Sequence, residues 1–143
     1  MQLQRYCAYQ DRCHSEVRSK LLSLKIYGDH LEEIISELVK DGFLDEERYA
    51  RAYVRGKFKN NKWGKQKILQ GLKQKQIGHY LLQSAIMEID DREYVDTLVN
   101  ILHQKIKMIP PGPNTLRRNK LVQYAVGRGY EMPMVLKLTE SMF

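Results

Sequence analysis

The chain has 143 residues, enough for one ordinary domain or a few small repeats. Its hydrophobic fraction of 43% supports a packed core, and its charged fraction of 29% is ordinary for a soluble protein. No apolar run reaches the length needed to span a bilayer, the N-terminus lacks the apolar core of a signal peptide, and two cysteines are too few for a disulfide framework. A cytoplasmic protein with reduced thiols is therefore expected.

Apolar residues recur at spacings of three and four, and strand-like alternation is absent, so the period is helical. The pattern predicts an all-α chain of nine short helices, at 2–12, 15–25, 29–41, 45–60, 64–76, 78–88, 90–108, 114–127 and 131–142. Cys7 and Cys13 are placed six apart on the first helix, too far apart and too poorly supported by other ligands for a tetrahedral metal site. Asp29-x-x-Glu32 and Asp90-x-x-Glu93 each resemble a capping box, with the Asp at the N-cap. Asp45-Glu46-Glu47 sets three carboxylates at a helix start, where the macrodipole favours them. Trp63 reads first as a plug in the turn between two helices and second as a stacking platform for a base. Tyr49, Tyr53, Tyr124 and Tyr130 fall at core-compatible helical positions. Pro133 fits the first turn of the last helix. No nucleophile–base pair, carboxylate cluster or phosphate loop is supported by spacing, so neither an enzyme nor a bound cofactor or metal is expected.

The nine helices fall into three sets of three, giving expected repeats at 1–44, 45–89 and 90–143. Val17, Leu21 and Ile26 match Ile68, Leu72 and Ile77, and both triples match Leu121, Ala125 and Tyr130. The spacing within each triple is four and then five, and the offset between triples is 51 and then 53 residues. Repeats of this size stack so that each buries the face its neighbour exposes, which predicts an elongated or curved array.

Net charge is +7 and unevenly spread. Residues 1–47 hold ten acids and six bases, a net of −4, whereas residues 48–143 hold eighteen bases and seven acids, a net of +11. Between Glu47 and Glu88 there is no acid, and ten Lys or Arg occur. At 100° per residue, Arg48, Arg51, Arg55, Lys59 and Lys62 share one narrow sector of the helix from Asp45, opposite Ala50, Tyr53 and Val54. A solvated helix face normally intersperses both signs. An acid-free block instead points to a polyanion, nucleic acid first. Arg48, Arg51, Arg55, Lys57, Lys59, Lys62, Lys65 and Lys67 are its candidate contacts. A second acid-free stretch, residues 97–130, adds Arg117, Arg118, Lys120 and Arg128.

Residues 42–50, Gly-Phe-Leu-Asp-Glu-Glu-Arg-Tyr-Ala, resemble the hallmark G-[FL]-[LI]-[DN]-[DE]-x-R-[FY]-A of the RecX family. Gly64, Ile68, Leu72, Lys75 and Ile77 resemble a second pattern of that family, His14-Ser15 with Leu21-Leu22 one of its first unit, and residues 121–130 one of its third. Lys25 and Gln76 depart from it, standing at helix C-caps where Gly is usual. The resemblance implies a non-enzymatic modulator built of tandem three-helix repeats. It implies binding in the groove of the RecA–DNA filament and suppression of strand exchange, ATP hydrolysis and co-protease activity, within recombination and the SOS response. It also implies weak non-specific binding to single- and double-stranded DNA, and a monomer. The rival reading is a helix-turn-helix transcriptional regulator, its recognition helix at 64–75 presenting Gln66 and Gln70 to base edges.

Overall fold

The computed structural model describes residues 2–143, and every regular element among them is an α-helix. The order is α1 (Gln2–Tyr9), α2 (His14–Ser23), α3 (Gly28–Lys40), α4 (Glu46–Lys59), α5 (Lys65–Gln74), α6 (His79–Ile86), α7 (Asp91–Ile106), α8 (Asn114–Gly127) and α9 (Met132–Glu140). All nine expected helices form, with ends within three residues of the expected ones. Asp90 accepts a hydrogen bond from the Glu93 N–H at 2.9 Å, as its expected cap requires, and Asp45 accepts one from the Arg48 N–H at 3.1 Å at the start of α4. Pro133 occupies the first turn of α9.

Two local expectations fail. The N-cap of α3 is Tyr27, with no side-chain cap, so Asp29 lies inside the first turn and Glu32 bonds Arg18 instead. An Arg within reach is a stronger partner for a carboxylate than a lone backbone N–H. The first helix stops at Tyr9, and Cys13 is the N-cap of α2, so the cysteines do not share a helix. The carboxylate of Glu16 accepts from the Cys13 N–H at 3.1 Å, which starts α2 early. Both thiols are buried, and burial pushes both above the ordinary thiol range.

The repeat is carried by one turn used three times. Ile26 N–H donates to Leu21 C=O, Ile77 N–H to Leu72 C=O, and Tyr130 N–H to Ala125 C=O, at 3.0, 3.2 and 3.2 Å. One residue earlier, Lys25, Gln76 and Gly129 each donate to the carbonyl three residues back, with φ of 62°, 63° and 104°. That pairing of bonds is the Schellman motif, which closes a helix through a left-handed residue. Of the nine matched residues, all are buried except Ile26, which is half-buried. The spacing of four then five is therefore two residues on the buried face of a helix and one residue dropped into the core after its cap.

The helices fold into two compact units. The first comprises residues 2–53 together with Gly71–Ala85. Leu3, Val17, Leu21, Leu31, Ile35, Leu38 and Leu44 form its main core, with Cys7 among them. The second comprises Val54–Gln70 and Ile86–Phe143. Its core includes Val54, Ile68, Leu98, Leu102, Leu121 and Val135, all at most 1% exposed. A tilted aromatic row runs through it, Phe58 to Tyr94 to Tyr130, with centroids 5.8 and 5.1 Å apart. Burial and the Glu131 carboxylate raise Tyr94, and burial pushes Tyr130 up to about 12. No described helix is long and apolar enough to cross a membrane.

Candidate nucleic-acid interface

Charge is divided sharply between the units. The first holds ten bases and ten acids, a net of zero; the second holds fourteen bases and seven acids, a net of +7. The whole formal charge of the chain thus resides in the second unit.

In the first unit, four of the ten cations meet carboxylates, while Arg12 and Lys20 lie over the Tyr6 ring. Arg18 pairs with Glu32 at 2.5 Å, Arg51 with Glu47 at 2.8 Å and Lys75 with Glu16 at 3.6 Å. Arg48 bonds Asp11 at 2.5 Å and reaches back to the carbonyls of Gly42 and Phe43. This gives residues 42–50 a structural role. Gly42 takes φ of 78°, Leu44 is 1% exposed, Asp45 caps α4, Arg48 ties the turn, and Tyr49 and Ala50 enter the core. Burial also raises Tyr49 above its ordinary range.

The second unit handles its cations differently. Arg55 and Lys65 do meet carboxylates, at 3.4 Å from Glu88 and 3.7 Å from Asp91. Lys57 and Lys67 lie over Trp63, 4.7 and 4.5 Å from its centroid. Trp63 is only half-buried, so it neither plugs the turn fully nor presents a bare ring. Arg117 donates to Ile106 C=O, Arg118 to Leu136 C=O and Thr139 Oγ1, and Arg128 to Asn61 C=O. Lys59, Lys62 and Lys120 are exposed and enter no ion pair among the described residues. A ring or a carbonyl positions a cation without neutralising it, so the unit keeps its positive field.

The start of α5 is enclosed. Gly64 N–H donates to Arg128 C=O at 2.8 Å and Gln66 N–H to Gly129 C=O at 2.9 Å. Tyr94 Oη accepts from Lys65 N–H at 2.9 Å and donates to Glu131. A side chain on Gly64 has no room: its Cβ would fall 2.2 Å from the Gly129 carbonyl carbon.

Beside this junction lies an open cleft of about 350 Å³. Thr97, Asn100, Ile101 and Gln104 line it from one face of α7, with Lys105 beside them. Met108, Tyr124, Arg128 and Lys62 complete it, and no acid is among its lining residues. Sequence reasoning named Lys62 and Arg128 but missed the neutral residues. Their signal was a polar i, i+3, i+7 stripe, Thr97, Asn100 and Gln104, inside the acid-free stretch.

Residues 45–86 match the family model "RecX, second three-helix domain". Regulatory protein RecX of Lactobacillus johnsonii is 28% identical over 98 residues, covering 68% of this chain and 36% of the relative. Regulatory protein RecX of Streptococcus uberis is 26% identical over 134 residues, covering 91% of this chain and 50% of the relative. The chain thus spans about half the length, or less, of these relatives. The crystal structure of RecX from Lactobacillus salivarius superposes with a TM-score of 0.86 at 25% identity, covering 96% of this chain and 89% of that one. A second crystal structure, of regulatory protein RecX, shares the fold with a TM-score of 0.88 at 22% identity, covering 97% of this chain and 68% of that one.

Proposed function

The chain belongs to the RecX family, and we propose that it regulates the RecA recombinase by binding the RecA–DNA filament and lowering its activity. The family likeness across the fold carries this reading. On this reading the chain is a cytoplasmic, non-enzymatic modulator that binds single- and double-stranded DNA weakly by itself. The second unit is the part suited to a polyanion, because it alone has a net charge, +7. Lys59, Lys62 and Lys120 are its foremost contacts, being exposed and unmatched by carboxylates. Arg55, Lys57, Lys65 and Lys67 support the field, while Arg117, Arg118 and Arg128 hold backbone carbonyls. Arg48 and Arg51 are retained as weaker candidates.

The rival helix-turn-helix reading has less support. Gln66 and Gln70 are exposed on α5, as that reading needs, but the family likeness favours the filament regulator.

The test uses the full chain with preformed RecA filaments. The parent protein is expected to co-sediment with filaments, more strongly than with naked DNA, and to suppress ATP hydrolysis. A Lys59→Gln, Lys62→Gln, Lys120→Gln variant should keep its helicity and lose most of that suppression. Failure of the parent to bind filaments would sink the family-based reading. Undiminished inhibition by the variant would move the contact off these lysines.

A further inference from the structure

We infer that the cleft on α7 and α8 is a nucleotide site, taking one base with its phosphate. The inference stands on the cleft and does not depend on the RecA reading. Its walls divide by chemistry. Lys62, Lys105 and Arg128 bring three cations to one opening, and none has a carboxylate partner among the described residues. Lys105 and Arg128 are held against the same Tyr124 ring, 4.5 and 5.8 Å from its centroid. Two like charges brought to one ring repel each other, and an anion between them relieves that repulsion. Arg128 is further fixed by its bond to Asn61 C=O. The cation cluster is therefore preorganised for an oxyanion.

The neutral lining residues suit a base. Asn100 and Gln104 carry primary amides, each both donor and acceptor, which match the paired donors and acceptors of a base edge. Thr97 adds a hydroxyl, and Ile101 and Met108 supply apolar surface for a ring face. A site for phosphate alone would not need the amides. A site for an apolar peptide would not converge three cations.

The test is a titration of the full, isotope-labelled chain, read by the side-chain amide signals of Asn100 and Gln104 and by affinity. The probes are a mixed-sequence single strand of about ten nucleotides, an abasic strand of equal length, and the mixed mononucleotides. The base-bearing strand should shift both amides and bind about tenfold tighter than the abasic strand. An Asn100→Ala, Gln104→Ala variant should lose that advantage while binding the abasic strand like the parent. Both residues are exposed, so the variant should keep the parental melting temperature. Saturable shifts with mononucleotides as well would assign the site to free nucleotides; shifts with the strand alone would assign it to a nucleotide within a chain. Equal affinity for base-bearing and abasic strands, or amides unmoved by either strand or mononucleotide, would overturn the inference. Loss of RecA inhibition is not among the readouts, so this result and that of the filament assay can fail separately.

Discussion

The two units are built from the same helical plan and differ in what their cations touch. In the first, Arg18, Arg48, Arg51 and Lys75 meet carboxylates, Arg12 and Lys20 lie over Tyr6, and ten acids balance ten bases. In the second, Lys57, Lys67, Lys105 and Arg128 meet aromatic rings, Arg117, Arg118 and Arg128 meet carbonyls, and the unit keeps +7. An ion pair cancels charge, whereas a ring or a carbonyl only fixes its position. The field of the second unit thus reflects its seven acids against fourteen bases, together with the rings and carbonyls that hold many of its cations.

The packing side of this contrast is broken most severely at Gly64. A Cβ there would meet Tyr130 N at 2.3 Å and the Gly129 carbonyl carbon at 2.2 Å, and backbone cannot swing aside. Gly64→Ala should cost about 3 kcal/mol or more, read by urea denaturation. In the first unit, Gly71→Ala meets only the hydroxyl end of the Tyr53 side chain, at 2.1 Å. A ring can tilt, and Ala favours the helix, so that change should stay within about 1 kcal/mol. Equal losses at both positions would mean that the second unit is no more tightly keyed than the first.

The aromatic seat of the second unit should show itself in alkali. Tyr130 keeps its proton to about pH 12 when folded and releases it near 10 when unfolded. Above pH 10 the unfolded chain therefore binds fewer protons than the folded one, and stability falls with rising pH. The contribution is full below pH 10 and lost by about 12, on the order of 2–3 kcal/mol. Tyr94 acts in the same direction. Chemical denaturation of the parent and of Tyr130→Phe at pH 9 to 12 measures this. A Phe variant that declines as steeply as the parent would show that Tyr130 titrates as if exposed.

Much of the fold was legible because helical periodicity and caps are local. The matched triples, four then five apart, proved to be the buried pair and the core residue of a recurring Schellman turn. What failed was local pattern overridden by distant partners. Asp29-x-x-Glu32 reads as a cap, but Glu32 is taken by Arg18 on another helix. The candidate site was legible in total charge, since acid-free stretches are visible in the sequence. Which cations stay available was not. Arg48 lies in the expected stripe, yet Asp11, thirty-seven residues away, claims it. Arg117, Arg118 and Arg128 read as surface charge until carbonyls from other segments come within reach. Asn100 and Gln104 carry no charge, and only the cleft gives them company.

The contrast between neutralised and retained charge has a direct measurement. Single-strand affinity should fall with salt, and each phosphate contact should contribute about −0.7 to the slope of log affinity against log salt. Removing Lys59 or Lys120 should flatten the slope by up to that amount, whereas Arg18→Gln, whose charge is already matched by Glu32, should leave it nearly unchanged. A slope that responds equally to Arg18 and Lys59 would erase the distinction between the units.

The smallest effect is the most diagnostic of where strain is kept. Among the described residues, three other than Gly have positive φ: Lys25 at 62°, Lys62 at 58° and Gln76 at 63°. A left-handed L-residue costs roughly 1–2 kcal/mol, and part of the gain from Gly is returned as unfolded-state entropy. Lys25→Gly and Gln76→Gly should therefore each stabilise by about 0.5–1 kcal/mol, measured as a shift in denaturation midpoint at constant m. The third repeat already has Gly129 at the equivalent turn. Lys62→Gly should stabilise by a similar amount, but Lys62 also lines the cationic cleft and is exposed without an ion pair. On the proposed nucleotide site its strain coincides with a needed charge, so only this one of the three glycine variants should weaken single-strand binding. If all three gain stability and all three bind like the parent, the strain at Lys62 serves nothing in the cleft, and the charged surface lies on Lys59 and Lys120.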